Sequence, residues 1–512
     1  MLLALSERIR EIDTYSSDVL GIPLCDLMAR SGRAVERVLR EHVNPGKNVV
    51  ILAGSGNNGG DGYALAELIM NDYSVTVYDI FNVGQKTEVS KLFRDRYEKL
   101  GGVVTPLEYS KEVLEKIKNS DCIVDAVFGT GFVGQMPDRL GELIGCVNSS
   151  TSAYKIAIDV PLGVNADDGS ISEAYACSVD TTVALSFIKP GLVSYPAHSF
   201  VGRITYDDIE LPLDKITSCF DFKYKLIDMQ LATSYLPKRR RDGNKGTFGS
   251  LLMITGSKKY RGAAHLSLEA AARGGVGRVT FFGTSVLTSE LLQKLPEVIY
   301  ESFQGEELSI NDFTRAEELV KANNAILLGS GSSVSEELYK LITLLLESDG
   351  APVILDADAI NTIAEHKSEA LALLKKSRRK VILTPHPLEF SRISGHSVAE
   401  VQQRRIELSL EFAKEFNCIL VLKGAGTVVT DGNEVLINST GSSALSKAGS
   451  GDVLAGFLSS LVAQGIEPLY ASALAVYYHG LAADVLRDEL SVFGVTPSDL
   501  PREIARQIAK QS

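Results

Sequence analysis

Apolar runs of strand length alternate along this chain with amphipathic segments of helical length, a pattern that predicts a parallel α/β architecture. In the first half the runs fall at 49–53, 75–78, 122–128, 156–160 and 182–185, each closing near Gly, Asp or Pro. In the second they fall at 250–255, 278–282, 325–328, 352–355, 381–383, 419–422 and 427–430. Over 211–249 the periodicity fades around Pro212, Pro237 and a basic run. This places a boundary near 218–225 and predicts two domains, 1–220 and 221–512. The halves share no repeat period, so the chain reads as a fusion of unlike domains.

Composition narrows the class. A chain of 512 residues, 45% hydrophobic and 23% charged, exceeds one ordinary core and is neither disordered, collagenous nor disulfide-stapled. Its net charge of −12 opposes a polyphosphate backbone at long range, so no nucleic-acid partner is expected. The run Lys238-Arg239-Arg240-Arg241, followed by Asp242, Gly243 and Asn244, reads as a solvated linker. Six cysteines without Cys-x-x-Cys or zinc-ligand spacing suit a reducing compartment. Residues 1–5 are too short for a signal-peptide core and run at once into Glu7, Arg8 and Arg10. The apolar stretch 453–466 falls short of the roughly 20 residues that a membrane span requires. A soluble, cytoplasmic protein with no membrane partner is expected.

Candidate chemistry gathers where strands end. Gly54-Ser55-Gly56-Asn57-Asn58-Gly59 has the dinucleotide-fingerprint spacing, follows a strand, precedes a helix predicted over 63–70, and has Asp79 at the ribose-acid distance. Yet Asp61 follows inside the same predicted loop, where a pyrophosphate wants bare N–H groups, and Asn57 and Asn58 add side-chain carbonyls. A ribose, hydroxyl or cation site fits that set better than a dehydrogenase cradle. A bland tight turn needing glycine would explain the glycines alone. Asp125, leading into Gly129-Thr130-Gly131, and Asp159 end two further strands, so Asp61, Asp125 and Asp159 are expected in one crevice with a cation or ligand hydroxyls between them.

In the second half Gly449-Ser450-Gly451-Asp452 precedes an apolar helix predicted from about Val453. Amides at a helix start hold an anion, and an aspartate there can take a proton from a hydroxyl attacking a terminal phosphoryl group. That is small-molecule kinase logic without a Gly-Lys-Ser/Thr loop; a plain helix cap is the alternative. Asp356-Ala357-Asp358, Thr384-Pro385-His386-Pro387-Leu388-Glu389 and Lys423-Gly424-Ala425-Gly426-Thr427 close other strands with charged groups suited to a ligand carrying magnesium.

Together these motifs resemble the bifunctional NAD(P)H-hydrate repair enzymes, over nearly the whole chain. The carriers are 57–62, 125–131 and 159–163, then Lys245-Gly246-Thr247-Phe248-Gly249, 356–361, 384–389, 423–427 and 447–452. The resemblance implies an N-terminal Rossmann-like three-layer epimerase domain and a C-terminal ribokinase-like α/β dehydratase domain. It implies epimerisation of R and S hydrates of NADH and NADPH, and ADP- or ATP-dependent dehydration of the S hydrate. Substrate is expected at Asn57, Asn58, Gly59, Gly60, Asp61, Gly129, Thr130, Gly131 (on to Gln135) and Asp159, with potassium at Asn58 and Asp125. In the second domain the hydrate is expected at Ala263, Gly331, His386 and Asp452, and the nucleotide at Lys423, Gly424, Ala425, Gly426, Thr427, Gly449, Ser450 and Gly451. Asp452 is the expected base and Asp159 the expected acid–base of epimerisation; a homo-oligomer is also implied.

The chain departs from that pattern at Leu162, where the family has a potassium-binding serine. It departs again at Gly329-Ser330-Gly331-Ser332-Ser333 for Gly-Pro-Gly-Leu-Gly, and at Leu388, where a glycine is usual. Rival readings are a ribokinase-like kinase of a vitamin-precursor alcohol and a nucleotide-binding sensor without turnover.

Overall fold

The computed structural model describes residues 1–512 apart from 82–85, 131–136, 172–174, 240, 304, 306 and 512. Gly131 and the rest of the expected substrate loop to Gln135 therefore lie outside the described residues, as does Arg240 of the basic run. The chain forms two compact units, Leu2–Tyr224 and Lys225–Ser512.

In the first unit, strands are ordered Val104–Pro106, Ser74–Asp79, Asn48–Ala53, Cys122–Ala126, Tyr154–Ile158, Thr181–Leu185 and Arg203–Asp207, all parallel. Alternation within each strand builds three layers. Val49, Ile51 and Ala53 pack with Leu65, Ile69, Val35 and Leu39 on one face, while Val50, Leu52 and Ile123 pack with Leu140, Leu143 and Ile144 on the other. The chain order reverses between Asn48–Ala53 and Cys122–Ala126, which opens a crevice at their carboxyl ends.

The second unit repeats this logic. Its sheet runs through Ile299–Ser302, Arg278–Gly283, Ser250–Ile254, Ala325–Leu328, Val353–Leu355, Val381–Leu383, Ile419–Leu422, Val428–Thr430 and Val435–Asn438. Leu251 and Met253 face one helical layer, Leu252 and Ile254 the other. Pairing is parallel except at one end of this sheet. Val428–Thr430 pairs antiparallel with Ile419–Leu422, and Val435–Asn438 antiparallel with Val428–Thr430. The cause is length, since the connection 423–427 is far shorter than the dozen or so residues a parallel crossover requires. No helix among the described residues is long and apolar enough to cross a membrane.

Candidate active sites at two sheet edges

The glycine-rich segment of the first unit is helical, not a loop. Its helix runs Asn57–Ile69 with Gly56 as N-cap, six residues ahead of the predicted start at Tyr63, so Asp61 stands on the helix's second turn. Glycine is a poor helix former, which is why local propensity hid this turn. Close packing explains the glycines: a Cβ on Gly59 would lie 2.1 Å from the Gly54 carbonyl oxygen, one on Gly60 2.5 Å from the Met28 methyl, and one on Gly62 2.8 Å from Ala126 Cβ. The helix is thereby seated on the strand ends.

A cavity of about 440 Å³ opens there, lined among others by Asn57, Asn58, Asp61, Gly129, Thr130 and Asp159. Asp159, held at φ +67°, forms a buried ion pair with Lys189, and its other oxygen accepts the Thr130 amide at 3.3 Å. Lys189 also donates to the Leu185 carbonyl at 2.8 Å. A non-glycine residue with positive φ at a strand end costs about 1–3 kcal/mol, the kind of strain that clusters at working sites.

Sequence reading missed three charged walls of this cavity, Arg10, Asp13 and Lys189. Lys189 follows the strand Thr181–Leu185, so a lysine just past an apolar run was the available signal. Asp13 carried none, because it sits on an ordinary amphipathic helix, Ser6–Asp18. Burial pushes Asp13 up to about 6, with Lys189 opposing and Asp159 adding to the shift. Burial, and after it the Asp159 charge, holds Asp61 well above the ordinary carboxyl range despite a hydrogen bond from Ser31.

Asp125 departs from the expected crevice trio. Its oxygens accept the Val127 amide at 3.2 Å and the Leu162 amide at 2.6 Å, so it braces its own strand end and does not line the cavity. Burial raises it to about 6, against those two backbone bonds. Leu162 contributes only its amide there; its side chain is buried in the apolar layer with Leu52 and Leu143. Asn58, 6% exposed, leaves both side-chain polar atoms unpartnered, an orphan pair that calls for a ligand. Asp79 cannot serve as a ribose acid, for it is buried and paired with Lys86 and Arg94, each at 3.0 Å.

In the second unit Asp356 is the hub. It accepts Ser330 Oγ at 2.8 Å, Thr384 Oγ1 at 2.6 Å and Lys423 Nζ at 3.1 Å. Lys423 also lies 4.0 Å from Glu389. Burial alone would depress the Lys423 ammonium, but Asp356 and Glu389 outweigh it and hold it above the usual range. Ala357, between the two aspartates, sits at φ +48°.

The helix expected from Val453 runs Ser450–Ala463, with Gly449 as its N-cap at φ +101°, which puts Asp452 in the first turn. A Cβ on Gly451 would lie 3.4 Å from Lys423 Nζ, so the helix start and the lysine of the hairpin turn face each other. Burial, then the Asp356 charge, pushes Asp452 up to about 7, with Lys423 opposing.

His386 and Glu389 form a reciprocal cap on the helix Pro387–Ser394, the Glu389 amide donating to His386 Nδ1 at 3.1 Å. That nitrogen accepts and is therefore unprotonated; burial keeps the imidazole pKa below its ordinary value, in spite of Glu389. Leu388 is 46% exposed on this helix and crowds nothing inside. Gly331, at φ +66°, would place a Cβ 2.7 Å from that of Ala263, so these two expected hydrate residues are neighbours. Ser333 takes up the slack of the altered loop, its amide donating to Asp358 at 2.9 Å. Arg405, which sequence reading passed over, donates to the carbonyls of Leu422 and Lys423 at 3.0 and 3.1 Å and so fixes the turn 423–427. Within that turn Thr427 Oγ1 donates to the Gly424 carbonyl at 2.8 Å.

Comparison with known proteins gives two family matches. Residues 251–506 match the family described as NAD(P)H-hydrate dehydratase, and residues 24–191 the YjeF-related protein N-terminus. The bifunctional NAD(P)H-hydrate repair enzyme Nnr of Moorella thermoacetica is 31% identical over 498 residues, 94% of this chain and 92% of that protein. Its Escherichia coli counterpart is 30% identical over 497 residues, 97% of this chain and 92% of that protein. A crystal structure of a ribokinase-like superfamily protein from Enterococcus faecalis shares the fold of the second unit, with a TM-score of 0.50, 22% identity, and coverage of 57% of this chain and 98% of that one.

Proposed function

The chain belongs to the family of bifunctional NAD(P)H-hydrate repair enzymes, and from that premise we propose how its two units divide the repair. The protein epimerises the hydrates of NADH and NADPH and dehydrates the S form. Epimerisation is assigned to the cavity of the first unit, dehydration to the Asp356–Lys423–Asp452 centre of the second. The carrying observation is Asp452, poised at about 7 on the first turn of a helix whose start at Gly451 lies against Lys423.

The hydrate is a carbinolamine, and hydroxide is a poor leaving group. With ADP or ATP as donor, Asp452 takes the proton of the C6 hydroxyl as its oxygen attacks the terminal phosphoryl group. Lys423, Gly424, Ala425, Gly426, Thr427 and the helix start at Gly449, Ser450 and Gly451 hold the nucleotide and its developing charge. The ring-nitrogen lone pair then expels phosphate from C6, and loss of a C5 proton gives the dihydronicotinamide. Magnesium, carried on the nucleotide phosphates, would neutralise part of their charge. Ala263, Gly331 and His386 border the hydrate.

In the first unit, Asn57, Asn58, Gly59, Gly60, Asp61, Gly129 and Thr130 bind the substrate and Asp159, oriented by Lys189, exchanges protons at C6. A potassium ion fits Asn58, whose buried amide lacks any partner, and would supply positive charge for orienting the substrate, whereas Asp125 spends its oxygens on the Val127 and Leu162 amides. Six free cysteines agree with a cytoplasmic setting.

The test is reduced-nicotinamide absorbance after mixing the protein with the S hydrate, magnesium and ADP or ATP. A rise that requires nucleotide and disappears in Asp452→Asn is expected. Phosphorylated product without reduced nicotinamide would point to an alcohol kinase instead.

A further inference from the structure

The cavity of the first unit holds more acid than one proton transfer needs. Asp159, paired with Lys189, comes from the sheet edge; Asp61 comes from the glycine-rich helix; Asp13 comes from the separate helix Ser6–Asp18. That last helix buries Ile9, Ile12 and Ser16, so a carboxyl beside Ile12 on its inward side is expensive unless it is used. Asp61 is enclosed and takes a hydrogen bond from Ser31. Asp13 borders the open volume with Arg10 and shares it with Lys189 and Asp159, whose charges act on it.

Epimerisation by loss and return of water places a demand on this arrangement. The oxygen leaves one face of C6 and water returns to the other, so each face needs its own proton-exchanging group. Resting on the reading of this cavity as the epimerase site, we propose that Asp13 is a second catalytic acid–base, serving the face of C6 opposite to that served by Asp159. In the forward direction the Asp13 carboxyl protonates the C6 oxygen, the C6–O bond breaks with the electron pair going to water, and the ring nitrogen forms a double bond to C6. Water then adds from the other side, its oxygen bonding to C6 and its proton passing to Asp159. The reverse direction exchanges the two roles, and solvent restores the starting protonation, so no oxidant or co-reactant is consumed. Burial, which holds Asp13 near 6, suits it to both halves of this exchange.

The experiment uses the full-length protein with Asp13→Asn. Conversion of the R hydrate, followed with nucleotide present and the S activity in excess, should fall about a hundredfold in kcat, with KM and S-hydrate dehydration unchanged. The kcat profile of the unmodified protein should fall as pH rises past about 6, and that limb should vanish in the variant, with Arg10, Asp61, Asp159 and Lys189 still in place. A rate within threefold of the unmodified protein overturns the proposal. If Asp13→Asn melts early, Asp13→Ala with added formate decides: recovery of R conversion supports an acid–base role, and failure to recover overturns it. Absence of R conversion in the unmodified protein would instead refute the epimerase reading itself.

Discussion

Asp452, the base in the proposed dehydration, carries a stability cost of its own. Its folded pKa of about 7 lies above the ordinary aspartate value, chiefly through burial and the nearby Asp356 charge. The folded protein therefore binds this proton more tightly than the unfolded chain. By linkage, stability is unaffected below about pH 4, falls as pH rises from there, and carries the full penalty above about 7. Asp452→Asn should accordingly raise the melting temperature at pH 8 by a few degrees, at about 2–4 °C per kcal/mol relieved, and leave it unchanged at pH 4. Thermal melts at the two values check this; an equal shift at both would mean that the charge is not the cause. Asp452, Lys423 and Asp159 could be named from sequence because polar residues at the ends of apolar runs stand out. Asp13 could not, because a carboxylate on a surface-like helix looks the same whether it faces solvent or a cavity. At the two departures, the Leu162 amide donates to Asp125 while its side chain joins the apolar layer, and Leu388 points outward.

Among elements, the helix Asn57–Ile69 carries the sharpest dependence on close contact. Three glycines and two asparagines in its first turns argue against a helix on propensity alone. Seating on Gly54, Met28 and Ala126 overrides that preference. Gly59→Ala drives a methyl into the Gly54 backbone, which cannot swing aside as a side chain could, and should destabilise the first unit by about 1–3 kcal/mol or more. Conversion of the R hydrate should drop with it, whereas dehydration of the S hydrate, built on the other unit, should persist. Parallel rate measurements on the two epimers read this directly. The antiparallel end of the second sheet belongs to the same scale. Strands 419–422 and 427–430 could be located by their apolar character, but their direction followed from a connection too short to cross back.

At the scale of the whole molecule, each site is assembled from residues of its own unit: the cavity from the span 9–209 and the aspartate–lysine centre from the span 263–452. Two singly disabled chains should then complement each other. A mixture of Asp159→Ala and Asp452→Asn proteins is expected to convert the R hydrate to reduced nicotinamide, the S hydrate passing through solvent, although neither variant alone does so. Absence of conversion in the mixture would mean that the hydrate is handed over within one chain. The sequence by itself determined the two α/β units, the strands that end in Gly, Asp or Lys, and the glycine-rich helix start at Gly449–Asp452, because periodicity and glycine spacing are local properties. Only the tertiary structure decided that Asp125 braces a strand while Asp13 and Lys189 face the cavity, that the hairpin brings Lys423 to Asp356, and that burial lifts Asp452 toward neutrality. Those outcomes depend on which distant side chains share one low-dielectric space, and nothing in the order of residues along the chain encodes that distance.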